Sequence, residues 1–189
     1  TETAQESLDT TILAFRVAEQ VLLPVMVSHD AFYVSHSLEP VRVPPQEVVD
    51  SFLPPYAPQH RLDTSAPESW GNVVSQEMYC RHRQDIGAAM GRVPAIAAAA
   101  DQEWGELTGR SYGVVESYRC EAAHTVIVTM GSMCGTARDA VDAMRDAGQA
   151  VGLLKVRLFR PLPARELRAA LAGVPEVLVL DRNYSPGHG

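Results

Sequence analysis

The chain has 189 residues, 46% of them apolar, with 16 Lys and Arg against 23 Asp and Glu for a formal net charge of -7. That length holds one ordinary domain, or one domain plus part of another, with enough apolar content for a buried core. Scattered basic residues on an acidic chain offer no field for a polyanion, so nucleic acid is not an expected partner.

Cys80, Cys120 and Cys134 stand far apart, with no C-x-x-C pair and no His at ligand spacing. This argues against a disulfide framework and a zinc site, and for reduced cysteines in the cytoplasm. No run of about 18 apolar residues and no signal-peptide pattern occurs, so no membrane partner is expected.

In chain order, Leu8, Ile12, Phe15, Val17 or Ala18, and Val21 or Leu22 predict a helix over 8–22 with Ser7 as N-cap. "LPVMVSHD" follows as a buried strand ending in Ser28, His29 and Asp30, half of an α/β unit whose partner strands lie elsewhere. An orphan unit of this kind leaves apolar surface available for homo-oligomer formation. Residues 40–67 hold 7 of the 13 prolines and read as an ordered linker. Within it Pro45 opens a short helix, and Phe52, Leu53, Tyr56 and Leu62 pin the segment to a surface.

Residues 72–107 predict helix, break at Pro94, helix. Beyond Gly113 strands and helices alternate: "VVESYRC", "TVIVTM", helix 136–147, "AVGLLKVRLF", helix 163–172 and "EVLVLD". Continuous apolar strands separated by single helices predict an α/β domain over 70–189, a doubly wound parallel sheet with helices on both faces. The chain starts at Thr1 and closes on "RNYSPGHG", a loop after a strand, which suggests a segment of something longer.

Ligands collect beyond the carboxyl ends of parallel strands, here at "MGSMCGTAR", "FRPLP" and "DRNYSPGHG". Gly131, Ser132, Gly135 and Thr136 have the ingredients of an anion site at a helix N-terminus but match neither a P-loop nor a dinucleotide fingerprint. A structural turn with Thr136 as cap is the simpler reading. Arg160 is expected to pair with Asp181 or a neighbouring domain, and Asp181 with Arg182 to form an interface pair. His29 and His36 in "SHDAFYVSH" sit too close in sequence to Ser28 and Asp30 for triad geometry, and read as loop residues packing on another domain. "RHR" at 81–83 reads as a solvated helix face, and the sequon at Asn183 as irrelevant in the cytoplasm.

Three patterns in order carry a resemblance: a strand followed by D-x-F-x-x-S-H-x-x-E-P-V, a G-S-x-x-G-T turn, and L-x-x-R-x-F-R-P-x-P. The run from "DTTILAFRVAEQVLLPVMVSHDAFYVSHSLEPV" through "PPQEVVDSFLPP" to "VLVLDRNYSPGHG" resembles the α subunit of the pyruvate (2-oxoacid):ferredoxin or flavodoxin oxidoreductases. The resemblance implies that residues 1–36 are the tail of the thiamine-pyrimidine-binding domain, 37–69 an inter-domain linker, and 70–189 a transketolase-C-terminal-like domain. It implies oxidative decarboxylation of a 2-oxoacid such as pyruvate to acyl-CoA. The parent complex then holds thiamine diphosphate, Mg, iron-sulfur clusters and coenzyme A, its remaining domains and subunits are partners, and ferredoxin or flavodoxin takes the electrons. The family's substrate-binding and cofactor-activating residues lie outside the matched motifs, and no Cys-rich cluster spacing or Asp- and Gly-containing diphosphate cradle is present. No catalytic or metal-binding residue is therefore expected here, and the segment should be inert alone, providing docking surface. Two alternatives compete: a free-standing nucleotide- or anion-binding module using Gly131 to Thr136, and the equivalent domain of a transketolase or 2-oxoacid dehydrogenase.

Overall fold

The computed structural model describes residues 1–182 apart from Gln59 and Asn72. Its first helix, α1 (Ala4–Val21), starts earlier than the expected cap at Ser7, because the Thr3 hydroxyl accepts the Glu6 N–H at 3.1 Å. The Glu39 carboxylate accepts the Ala4 N–H at 2.8 Å, so the S-H-x-x-E-P-V segment also closes the start of α1. Leu13, Val17 and Val21 form the apolar stripe of α1.

Residues 23–30 correct the sequence reading: they form no regular element and pair with no strand among the described residues. Val25 and Met26, expected to be buried, are exposed. Without a neighbouring ladder the backbone groups of such a segment turn to water or to loops, and no sheet forms around them.

In the proline-rich stretch, α2 (Gln46–Phe52) begins one residue after its expected start, with Pro45 as its N-cap. Phe52 is fully buried, its ring 5.1 Å from that of Trp104 in an edge-on contact, and Leu53 packs beside it. Tyr56 and Leu62 are exposed, so the linker is held instead by α2 and by Arg42, whose N–H donates to Gln5 Oε1 at 2.7 Å.

The long helix α3 (Gln76–Thr108) passes through Pro94 unbroken. An interior proline forfeits a hydrogen bond and costs about 3 kcal/mol. A stripe of Val93, Ala100 and Trp104, packed on α1 and α2, offsets that cost. Arg81, His82 and Arg83 face solvent as expected, Arg81 paired with Glu77 at 2.8 Å.

The sheet contains β1 (Val115–Tyr118), β2 (Thr125–Thr129), β3 (Val151–Val156) and β4 (Glu176–Val179) in the order β1-β3-β2-β4. β2 runs parallel to β3 and to β4, with Ile127 opposite both Leu153 and Leu178. β1 departs from the expected all-parallel arrangement: it is antiparallel to β3, Val115 facing Val156. It follows α3 directly, with no crossover over the sheet, and antiparallel edge strands on parallel sheets are common. Helices cover both faces. α4 (Met133–Asp146) lies over Ile127 and Leu153, and α5 (Ala164–Ala170) brings Leu167 onto Val126, Val128 and Leu154. This is an α/β sheet wound on both sides. The three cysteines are free thiols, and no described helix is long and apolar enough to cross a membrane. The sequon at Asn183 lies outside the described residues.

Candidate functional site

β2 delivers the chain into the Gly131 turn, where a left-handed backbone (φ 69°) suits glycine. The Ser132 N–H at the start of α4 donates to Asp30 Oδ2 at 2.7 Å, and a Cβ at Gly131 would lie 2.8 Å from the same oxygen. Arg182 donates to that carboxylate from 152 positions away, reaches Ser132 Oγ at 3.4 Å and lies over the Tyr33 ring. The helix N-terminus is thus filled by the chain's own anion. Thr136 is not the cap: it sits inside α4, because Asp30 supplies from a distance what a local hydroxyl would otherwise provide.

Burial pushes the Asp30 carboxyl upward, but the Ser132 hydrogen bonds and the Arg182 charge outweigh it and hold it below its ordinary value. A depressed carboxylate contributes stability above its ordinary pKa and loses it as pH falls through the lowered one. Asp30→Asn should therefore cost about 1–3 kcal/mol at neutral pH. The loss should vanish in acid, as checked by urea denaturation of both proteins at pH 7 and near pH 3.

The remaining candidates disperse. His29 Nδ1 lies 2.9 Å from Ser7 Oγ, and His36 Nδ1 lies 2.8 Å from Ser35 Oγ with its ring against Phe32. Ser28, His29 and Asp30 do not converge as a triad. Arg160 lies over the Phe159 ring, and Arg182 serves Asp30.

The densest constellation is one that the sequence reading missed. Lys155, next to the last residue of β3 and 3% exposed, places Nζ 2.7 Å from Glu2, 2.9 Å from Glu6 and 3.6 Å from Glu116. Arg138 of α4 bonds Glu2 at 3.1 Å and Glu116 at 2.8 Å. Arg157 joins Glu6 at 3.0 Å to Thr10 at 2.7 Å and to the Gly113 carbonyl at 2.8 Å, its guanidinium over Tyr112. Asp9 accepts two bonds from Arg110, at 2.7 and 3.0 Å, and one from the Tyr112 hydroxyl. Asp101 anchors the following loop through Ser111 Oγ at 2.6 Å and the N–H groups of Tyr112 and Gly113.

Burial works against the charge of Lys155, but Glu6 and Glu2 more than compensate and raise it above its ordinary value. Burial likewise opposes ionisation of Glu2 and Glu6, yet the facing cations hold both low. Tyr112 is pushed up by burial and by Asp9. Cys134, fully buried beneath this cluster, has its thiol pushed up to about 12, by burial first and then by Glu2, which leaves it unreactive.

A signal for the cluster was present in the sequence. Glu6 and Asp9 extend the stripe of Leu13, Val17 and Val21 at the same helical spacing, and Lys155 interrupts an apolar strand. Acids on an apolar face imply buried cations opposite, although their identity depends on the fold.

These residues do not fit thiamine diphosphate. The glycine turn at the start of α4 already holds Asp30, which would repel a diphosphate, and Glu2, Glu6 and Asp9 are each bonded to cations of the chain. No group of three or more His, Cys, Asp or Glu side chains among the described residues is placed to hold a metal. The filled turn also disfavours the nucleotide-module alternative.

What the geometry defines is an α/β protein in which an α-helical unit is ion-locked onto a doubly wound sheet. Residues 1–102 match the family model for pyruvate flavodoxin/ferredoxin oxidoreductase, thiamine diP-bdg, and residues 123–189 that for pyruvate:ferredoxin oxidoreductase core domain II. The chain is 47% identical over 186 residues to pyruvate synthase subunit PorA of Methanothermobacter thermautotrophicus, covering 97% of this chain and 49% of that protein. It is 42% identical over 189 residues to PorA of Thermotoga maritima, covering 98% and 48%. To ketoisovalerate oxidoreductase subunit VorA of Pyrococcus horikoshii it is 39% identical over 188 residues, covering 98% and 47%. The chain belongs to the pyruvate flavodoxin/ferredoxin oxidoreductase family, and it spans about half the length of the curated relatives it matches.

The network described above runs between the two matched segments. Glu2, Glu6, Asp9 and Asp101 lie in the first, Arg138 and Lys155 and Arg157 in the second.

Proposed function

We propose that this chain is a structural and docking segment of a 2-oxoacid:ferredoxin or flavodoxin oxidoreductase α subunit. In that reading the whole enzyme decarboxylates a 2-oxoacid, pyruvate or a relative, to acyl-CoA in the cytoplasm. Residues 1–36 close the thiamine-pyrimidine-binding domain, 37–69 link it, and 70–189 form the transketolase-C-terminal-like domain. Thiamine diphosphate with Mg, the iron-sulfur clusters and coenzyme A are held by other parts of the complex. Its other subunits, and ferredoxin or flavodoxin through them, are the partners.

The observation that carries this reading is the ion-locked seam. Glu2 and Glu6 are spent on fixing one matched segment against the other, which is the work of a scaffold rather than of a reaction centre. The purified chain, supplied with pyruvate, coenzyme A, thiamine diphosphate, Mg and a viologen acceptor, should show no turnover and no heat of thiamine diphosphate binding. Turnover by the chain alone would overturn the reading.

A further inference from the structure

The elements divide into two layers joined by a single stretch of chain. α1, α2 and α3 all precede Gly109, and the sheet with α4 and α5 follows Gly113. Apolar packing among the described residues respects the same division. Phe52 and Trp104 centre a cluster drawn wholly from the helical layer, and two further clusters are drawn wholly from the sheet and its covering helices. In the fourth, only Leu158 joins Val17, Val21 and Val93 from the sheet side. The seam itself is closed by polar contacts: Glu2 and Glu6 on Arg138, Lys155 and Arg157, and Asp30 on Ser132 and Arg182.

We propose that the two layers are separate bodies hinged at Gly113, with Arg157 as the latch that holds them closed. The hydrogen bonds of the connecting stretch change sides within that one residue. Before it, the Ser111 hydroxyl, the Tyr112 N–H and the Gly113 N–H all donate to Asp101 of α3, the last at 2.8 Å. After it, the Gly113 carbonyl accepts from the Arg157 guanidinium at 2.8 Å, and the Val114 carbonyl accepts from the Arg157 and Leu158 N–H groups at 3.1 and 3.0 Å, leading into the β1–β3 ladder. A rotation about Gly113 therefore leaves the bonds of both bodies in place, as hinge residues at element ends do. Gly113 stands at φ 67°, and a Cβ there would lie 2.9 Å from the Val115 carbonyl oxygen, so the turn between the bodies calls for glycine.

Arg157, just past the end of β3, straps the bodies together. Its guanidinium holds Glu6 at 3.0 Å, Thr10 at 2.7 Å and Asp101 at 3.4 Å on the helical side, and the Gly113 carbonyl at the hinge. Parting these groups returns their hydration, which offsets much of the attraction lost, whereas parting either apolar core has no such return. The seam therefore opens at a lower free energy than the cores unfold, as a unit of its own. The segments that the ions fix together are fixed reversibly.

Cys134 is a native reporter of the opening. It is fully buried, and Glu2 Oε1 comes within 3.8 Å of the Cβ position on the neighbouring Gly135, so the seam covers it. In the 189-residue chain with Cys80→Ser, modification of Cys134 by a maleimide, resolved from Cys120 by mass spectrometry, should proceed at low urea through an opening that scarcely depends on urea. Only near the unfolding midpoint should its rate take the steep urea slope of global unfolding. Arg157→Met should raise the low-urea rate about ten-fold or more, the effect of losing a charged hydrogen bond from the closed form only. That variant strands no acid, because Glu6 keeps Lys155 and Asp101 keeps Ser111 and two backbone N–H groups. Fraying of α4 alone would leave the rate indifferent to Arg157, which bonds no residue of α4. A rate unchanged by Arg157→Met would overturn the proposal. So would the global urea slope at every concentration, a result read with Arg157 intact and therefore decisive even if the variant does not fold. Neither measurement involves turnover, so both stand apart from the test of the proposed function.

Discussion

Replacing Lys155 by Met should destabilise the fold by about 3–5 kcal/mol at neutral pH, because it strips the central cation from buried carboxylates while leaving their burial intact. For a chain of this size that corresponds to a fall in Tm of roughly 6–20 °C. Lys155 and Glu6 are almost wholly buried, so solvent screens little of the interaction. The pH dependence should also change. In the natural chain Glu2 and Glu6 have lowered pKa values, so their contribution is present above the ordinary value of 4.5 and is lost as pH falls through the lowered ones. Lys155 is raised, so its contribution is complete below its ordinary value of 10.5 and is lost as pH rises through the raised one. The window between those limits is where Lys155→Met should cost most. Below it, protonated glutamates no longer need the ammonium and the two proteins should converge. Adding Glu6→Gln to Lys155→Met should recover part of the loss, since it removes the charge left behind. Chemical denaturation at pH 7 and at a pH below the lowered Glu2 and Glu6 values tests this, and a neutral-pH loss below about 1 kcal/mol would contradict a working network.

Phe52→Ala should cost about 3–5 kcal/mol, the usual consequence of emptying a fully buried aromatic site. The effect should reach beyond the cavity. Phe52 joins α2 to Trp104 of α3, and the Arg16 guanidinium lies over its ring while donating to its carbonyl at 2.8 Å. Because Arg42 ties only the start of the proline-rich segment to α1 and Tyr56 and Leu62 are exposed, limited proteolysis of the variant should cut faster within residues 46–67. Unchanged cleavage there, despite lowered global stability, would show that α2 is held by something other than this ring.

Local patterns announced their own elements, and the misses fall where remote residues intervene. The alternation of β2, α4, β3, α5 and β4 was legible because each element carries its period in its own residues. Thr136 reads as a cap in the sequence because nothing nearby announces Asp30, and Pro94 reads as a break because nothing nearby announces α1. Residues 23–30 have a strand's composition but, among the described residues, no neighbour to pair with, and a strand is a property of two segments.

The candidate site followed the same division. Helical spacing alone puts Glu6 and Asp9 on one face with Leu13 and Val17, a short-range consequence of backbone geometry, whereas Glu2 precedes the helix and Lys155 lies in a strand buried at every position, so neither is placed by periodicity. Which cation meets which acid was settled only when α1 was laid across β3 and α4. A buried charge is tolerable only against an opposite one, and the sequence lists the charges without their distances.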